Sequence, residues 1–142
     1  MPPDSTLPPR PMGVPLSEIV DNVNEARVAR GWRLQSIRLV DPVDFWFLEK
    51  VRSGGPWDYK RVYGVDFQDF GNWHYGLVGA AAGYSLLTLE MGGGLATVMD
   101  GPPYARGGLD SYLDDPNDQK WIRKGYEFFY NPPTWFRNAV SQ

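Results

Sequence analysis

Cysteine is absent from the chain, and histidine occurs once, at position 74. The first absence removes disulfides and thiolate chemistry and fits either redox compartment. Together the two exclude a zinc site built from histidine and cysteine. Carboxylate-held Mg²⁺ or Ca²⁺ stays open as the metal option, and no other cofactor is expected. No apolar run reaches the ~18 residues that a membrane-spanning helix needs, so membrane insertion is not expected. No signal peptide is visible at Met1. Basic residues are not in excess either: 14 Lys and Arg stand against 17 Asp and Glu, a net charge of −3. That balance counts against a nucleic-acid partner at the level of the whole surface. A small cleft can still be locally basic on an acidic protein.

Aromatic residues, in contrast, are abundant: six Trp, eight Tyr and seven Phe in 142 residues. A chain of this length makes one domain with a real core, and this aromatic load can fill it. The densest stretch is Gly54 to Gly83. Its first half carries Asp58, Lys60, Asp66, Asp69, Asn72, His74 and Tyr75, with Trp57, Tyr59, Tyr63, Phe67, Phe70 and Trp73 threaded between them. That mixture suits a walled pocket with polar groups pointing inward, and equally a structural loop pinned by aromatics. The second half is small. Gly76, Gly79, Ala80 and Gly83 recur at i, i+3, i+4 and i+7, one face of a helix that a neighbour can approach closely. A polar loop locked onto a close-packed helix is therefore expected.

The rest of the chain reads as helices separated by breakers. Residues 1–15 hold six prolines and read as an extended, poorly packed linker before a domain at 16–142. Leu16, Ile19, Val20 and Val23 follow a helical period that ends near Gly31. Residues 31–40 alternate partly and read as a short strand. Asp41-Pro42-Val43-Asp44 is a helix start, with Val43, Phe47, Leu48 and Val51 on the expected buried face. Ser85 is placed to cap another helix, with Leu87, Met91, Leu95 and Val98 buried. Asp115-Pro116-Asn117-Asp118 repeats the start chemistry, and Asn131-Pro132-Pro133 is the stop. Thr134 to Gln142 reads as a short tail. The expected fold is mainly α, a compact single domain of four to five helices with room for a small β-hairpin.

Several blocks resemble a known family. Lys50-Val51-Arg52-Ser53-Gly54-Gly55-Pro56-Trp57-Asp58-Tyr59-Lys60 resembles the "KVR-x-GG-x-WDYK" signature of the bacterial polymorphic toxin domain called bacterial toxin 44. Asp69-Phe70-Gly71-Asn72 with Tyr75-Gly76 is similar to its "DFGN-x-x-YG" block. Gly79 with Ala82-Gly83 follows, and Asp114-Asp115-Pro116-Asn117-Asp118-Gln119 with Ile122 and Gly125 is similar to its closing block. The resemblance spans about Leu16 to Tyr130. It implies a toxin module at the end of a larger secreted protein, with carrier domains N-terminal to it and a cognate immunity protein as partner. It also implies a ribonuclease acting in the cytoplasm of a target cell. One position departs: the family pattern has a residue other than histidine where His74 stands, so a shared mechanism does not hang on that ring.

For RNA cleavage the chemistry needs a base for the 2′-hydroxyl, a cation at the phosphate and an acid for the leaving oxygen. Lys60 is the candidate cation. Asp58 and Asp69 are the candidate bases or orienting groups, Tyr75 or His74 the acid, and Asn72 a donor to substrate. Trp57, Tyr59 and Trp73 are candidate base-stacking groups, with Arg123 a further substrate contact. A variant holds Mg²⁺ on Asp58 with Asp66 or Asp69. The alternative is a peptidoglycan hydrolase working in the periplasm, with Asp58 and Asp69 as its two carboxylates. A third reading is a non-enzymatic binding module. Asp58 and Lys60 also fit an exposed ion pair worth under ~1 kcal/mol.

Overall fold

A computed structural model describes residues 7–32, 42–52, 54–91 and 116–140. The described residues are helical and contain no strand. Helix α1 is Leu16–Arg30, α2 is Pro42–Val51, α3 is Tyr59–Tyr63 and α4 is Gln68–Ala81, with a 3₁₀ turn at Val65–Phe67 between the last two. Helix α5 begins at residue 86 and is described to 91. Helix α6 is Pro116–Tyr130 and α7 is Thr134–Val140. The expected strand at residues 31–40 lies almost wholly outside the described residues, and Leu95 and Val98 of the expected buried face lie wholly outside them.

Helix α1 forms where the period predicts it. Ile19, Asn22, Val23, Ala26 and Ala29 make its buried stripe. Glu18 lies in the first turn, and Arg27 and Arg30 lie in the last, so its charges match the helix dipole. Helix α2 buries Val43 and Phe47 and starts on proline, whose missing N–H costs nothing there.

The centre of the molecule is the crossing of α4 and α6. A Cβ added at Gly76 would sit 2.0 Å from the carbonyl oxygen of Ile122, and one added at Gly125 would sit 1.9 Å from that of Trp73. The two backbones therefore touch, and each glycine leaves room for the other helix's carbonyl. One turn on, the recess over Gly79 is filled by Leu89 of α5, whose Cδ2 lies 2.2 Å from where a Cβ would stand. Gly83, with φ +93°, ends α4 in the left-handed conformation that glycine tolerates best. Beside this crossing, Trp73 of α4, Phe128 of α6 and Phe136 of α7 pack edge to face in a row with ring centroids about 5 Å apart.

Four expectations change here. The polar stretch after Trp57 is not a loop but α3, the 3₁₀ turn and the first turns of α4, because its aromatics take one side of each helical segment. Leu87 is 66 % exposed and Met91 43 % exposed, whereas Leu89 is buried. The buried face of α5 is thus rotated by half a turn from the expected one, drawn round by the gap at Gly79. Residues 134–140 are not a tail, since α7 buries Phe136 and Val140 and the Arg27 guanidinium donates to the Val140 carbonyl. The Pro-rich lead-in is packed from residue 7 onward: Pro8, Pro11 and Val14 are buried, and Gly13 lies against the Tyr63 ring.

The glycines give a test of opposite signs. Gly76→Ala and Gly125→Ala meet backbone atoms that cannot swing aside, so each should destabilise by about 3 kcal/mol or more. Gly71, where a Cβ has its nearest neighbour at 3.8 Å, sits inside α4. Gly71→Ala should leave stability unchanged or raise it by up to about 1 kcal/mol through helix propensity. Urea unfolding midpoints of the three variants check this.

Candidate functional site

Helix α4 carries most of the candidate residues, and its geometry separates them. At about 100° per residue, Asp69, Asn72 and Gly76 share the side toward α6. His74 lies on the side toward α1, and Tyr75 faces α2 and α5.

The side toward α6 forms a polar cluster at the N-terminal ends of both helices. Asn117 Nδ2 donates to Asp69 Oδ1 at 2.9 Å. Asp118 Oδ1 accepts from Asn72 Nδ2 at 2.7 Å and from Gln68 Nε2 at 2.9 Å. Helix α4 runs on from the 3₁₀ turn with no side-chain cap, and the Gln68 N–H donates to the Val65 carbonyl, so what its first turn offers an anion is the positive end of the helix dipole. Lys60, exposed on α3, starts on another side of α4: its backbone nitrogen is 3.8 Å from the position of a Cβ on Gly71, which points about 160° round the helix from Asp69. Among the described residues no carboxylate pairs with Lys60. Asp69 and Asn72 are therefore brought together with Asn117, Asp118 and Gln68, while Lys60 stands apart from them on α3. Sequence reading assigned Asp118 to helix capping and gave Gln68 no role. Their part in the cluster depends on contacts across nearly fifty residues.

The other candidates go elsewhere. Asp58 accepts from the Gly54 N–H at 2.9 Å and pairs with the Arg61 Nε at 3.2 Å, which fixes the turn where Gly54 takes φ +80°. Tyr75 donates to the Leu89 carbonyl at 2.7 Å and lines a cavity of about 40 Å³ with Phe47, Val51 and Tyr84. That volume holds waters rather than a substrate. Trp57, Tyr59 and Trp73 are core residues. The expectation that they stack on bases is corrected, since their faces are covered by other rings. Arg123 pairs with Glu90 at 3.4 Å on the outer side of α6.

His74 is the clearest correction. It is 0 % exposed and boxed by Trp57, Tyr59 and Phe70, with ring centroids 5.2, 4.8 and 6.1 Å away. Asn22 of α1 donates to His74 Nε2 and to the Tyr59 hydroxyl, each at 3.1 Å, and Tyr59 donates to Glu18 at 2.9 Å. With Nε2 accepting, the proton of the neutral ring is on Nδ1, which has no hydrogen-bond partner. Burial lowers the ring's pKa to about 3 and, with help from Glu18, raises the Tyr59 phenol well above its ordinary value. A ring that is neutral and sealed from solvent cannot protonate a leaving group. His74 instead joins α4 to α1 through Asn22.

This burial predicts a pH dependence. The unfolded chain protonates His74 near 6.5 and the folded chain only near 3. Between those values the unfolded state binds more protons, so stability falls as pH drops through that window. The loss should reach about 2 kcal/mol between about pH 7 and about pH 5, where few carboxylates titrate. Urea unfolding of the parent chain should show this slope. His74→Gln, whatever its absolute stability, should remove it.

Comparison of the chain with protein-family models, with curated proteins and with solved structures returned no match.

Proposed function

We propose that this chain is the toxin domain of a secreted antibacterial polymorphic toxin and that it cleaves RNA at the cluster joining α4 and α6. One observation carries the reading. Asp69 and Asn72 come from one of the blocks that resemble the toxin family, and Asn117 and Asp118 come from another. They meet side chain to side chain over gaps of 46 and 48 residues. Pure packing does not require the polar residues of separate blocks to converge at a surface.

In this proposal the positive end of α4 faces the phosphate, and Lys60 of a third block reaches round to it from α3. Asp69 takes the proton of the 2′-hydroxyl as its oxygen attacks phosphorus. The leaving 5′-oxygen takes a proton from Lys60 or from solvent. Asp118, held by Asn72 and Gln68, fixes both amides for substrate contact. If Mg²⁺ takes part, Asp69 and Asp118 are the carboxylates that would hold it. Carrier domains, an immunity protein that covers the cluster and action in the target cytoplasm belong to the same proposal.

The test is a cleavage assay of the purified domain on total RNA, plasmid DNA and peptidoglycan side by side, with and without EDTA. RNA should be lost. Lys60→Ala and Asp69→Asn should each slow the loss by roughly a hundredfold while circular dichroism stays unchanged. Loss that resists EDTA fits the metal-free route, and loss that EDTA stops fits Mg²⁺. Released muropeptides with intact RNA would overturn the nuclease reading and favour a cell-wall hydrolase.

A further inference from the structure

The outer face of α6 carries features that the cluster does not use. From Asn117 of the cluster, Lys120, Lys124, Glu127 and Asn131 follow at steps of three and four, so they form one exposed stripe. The Asn131 N–H still donates to the Glu127 carbonyl at 2.8 Å, which keeps Asn131 in helical register just past the helix end. The Lys120 and Lys124 ammonium groups lie 5.3 and 4.7 Å from the centre of the Trp121 ring, which holds both cations against the stripe. At its C-terminal end the stripe opens into a cleft of ≈ 480 Å³ lined by Trp73, Lys124, Glu127, Phe128 and Asn131. That size falls in the usual ~300–1,000 Å³ range of small-molecule sites.

The chemistry of the cleft is specific. Trp73 and Phe128 are buried and lie edge to face. The floor therefore offers ring edges and no broad stacking surface, so recognition falls to the rim. There the Glu127 carboxylate supplies two acceptors and the Asn131 amide supplies a donor, one helical turn apart. Among the described residues neither side chain has a hydrogen-bond or ion-pair partner. Two adjacent acceptors beside a donor complement guanine, whose Watson–Crick edge presents N1–H, N2–H and the O6 acceptor. Adenine, cytosine and uracil do not present two adjacent donors there.

We infer that this cleft is a guanine subsite, reached by a single RNA strand that runs from the α4–α6 cluster along α6 with its phosphates on Lys120 and Lys124. The inference rests on the RNA reading above and gives that site a sequence preference. About 14 Å of helix rise separates Asp118 from Glu127, so the guanine lies a short distance along the strand from the cut and not at it. Glu127 is tolerable beside the two lysines because it faces a base and not a phosphate.

The test uses the full domain and short 2′-O-methyl oligonucleotides, which lack the attacking hydroxyl and cannot be cut by that route. The probes are an oligouridine and the same strand with one guanine or one adenine. Fluorescence anisotropy should show the guanine strand binding roughly tenfold tighter or better than the other two. Glu127→Gln should abolish that preference and leave uridine binding alone. Lys124→Ala should weaken all three alike and lower the salt dependence by about one charge. These side chains are exposed, so folding is not at stake. Equal binding of all three probes, or a preference that survives Glu127→Gln, overturns the subsite; if RNA is still cleaved, the nuclease reading stands without it. No binding of any probe together with no cleavage of RNA overturns both. Binding of a soluble N-acetylglucosamine oligomer in the same cleft, blocked by Glu127→Gln, also overturns both and points to a cell-wall ligand.

Discussion

The contact between the backbones of α4 and α6 at Gly76 and Gly125 is the constraint on which the rest depends. Two helices that touch at this distance have their crossing fixed, and with it the meeting of their N-terminal ends. Asp69 then faces Asn117, and Asn72 and Gln68 face Asp118. The hydrogen bonds of the cluster are a consequence of the crossing more than its cause. Each is partly exposed and contributes on the order of 1 kcal/mol, whereas the crossing orders the whole aromatic layer around Trp73 and Phe128.

The opposite side of α4 is held by different chemistry. His74, Asn22, Tyr59 and Glu18 form a hydrogen-bonded chain from the core to the surface, sealed by three rings. Such buried polar groups fix register, because sliding α1 along α4 by one residue would leave the amide, the phenol and the imidazole unpaired together. Helix α4 is thus clamped by close packing on one side and by directional bonds on the other. That arrangement suits a helix whose first turn must present polar groups at a fixed position.

Much of this was legible in the sequence. The starts of α1, α2 and α6, the Asn131-Pro132-Pro133 stop and the small-residue face of α4 follow from local chemistry and periodicity. The placement of Leu89 did not, because the hydrophobic spacing of Leu87 and Met91 is as regular as that of a buried face, and only the recess at Gly79 decides between them. Helix α7 was missed because seven residues carry too little periodicity to distinguish a helix from a tail. At the candidate site, Asp69 and Asn72 were legible as a pair. Asp58, Tyr75 and His74 were not separable from them, since a polar residue threaded among aromatics looks the same whether it faces solvent or core. Asn22, which makes His74 structural, lies 52 residues away and carries no local mark of that partnership.

The glycine crossing also limits how this chain can change over generations. In an ordinary core, a residue that grows can be matched by a neighbour that shrinks, so pairs drift together through many compatible combinations. Gly76 and Gly125 have no side chain left to give up, and what each one meets is the other helix's main chain. An enlargement at either position has no compensating partner anywhere in the sequence. The two sites form an epistatic dead end: lineages and directed-evolution libraries must keep both glycines or abandon the crossing, and the polar cluster with it.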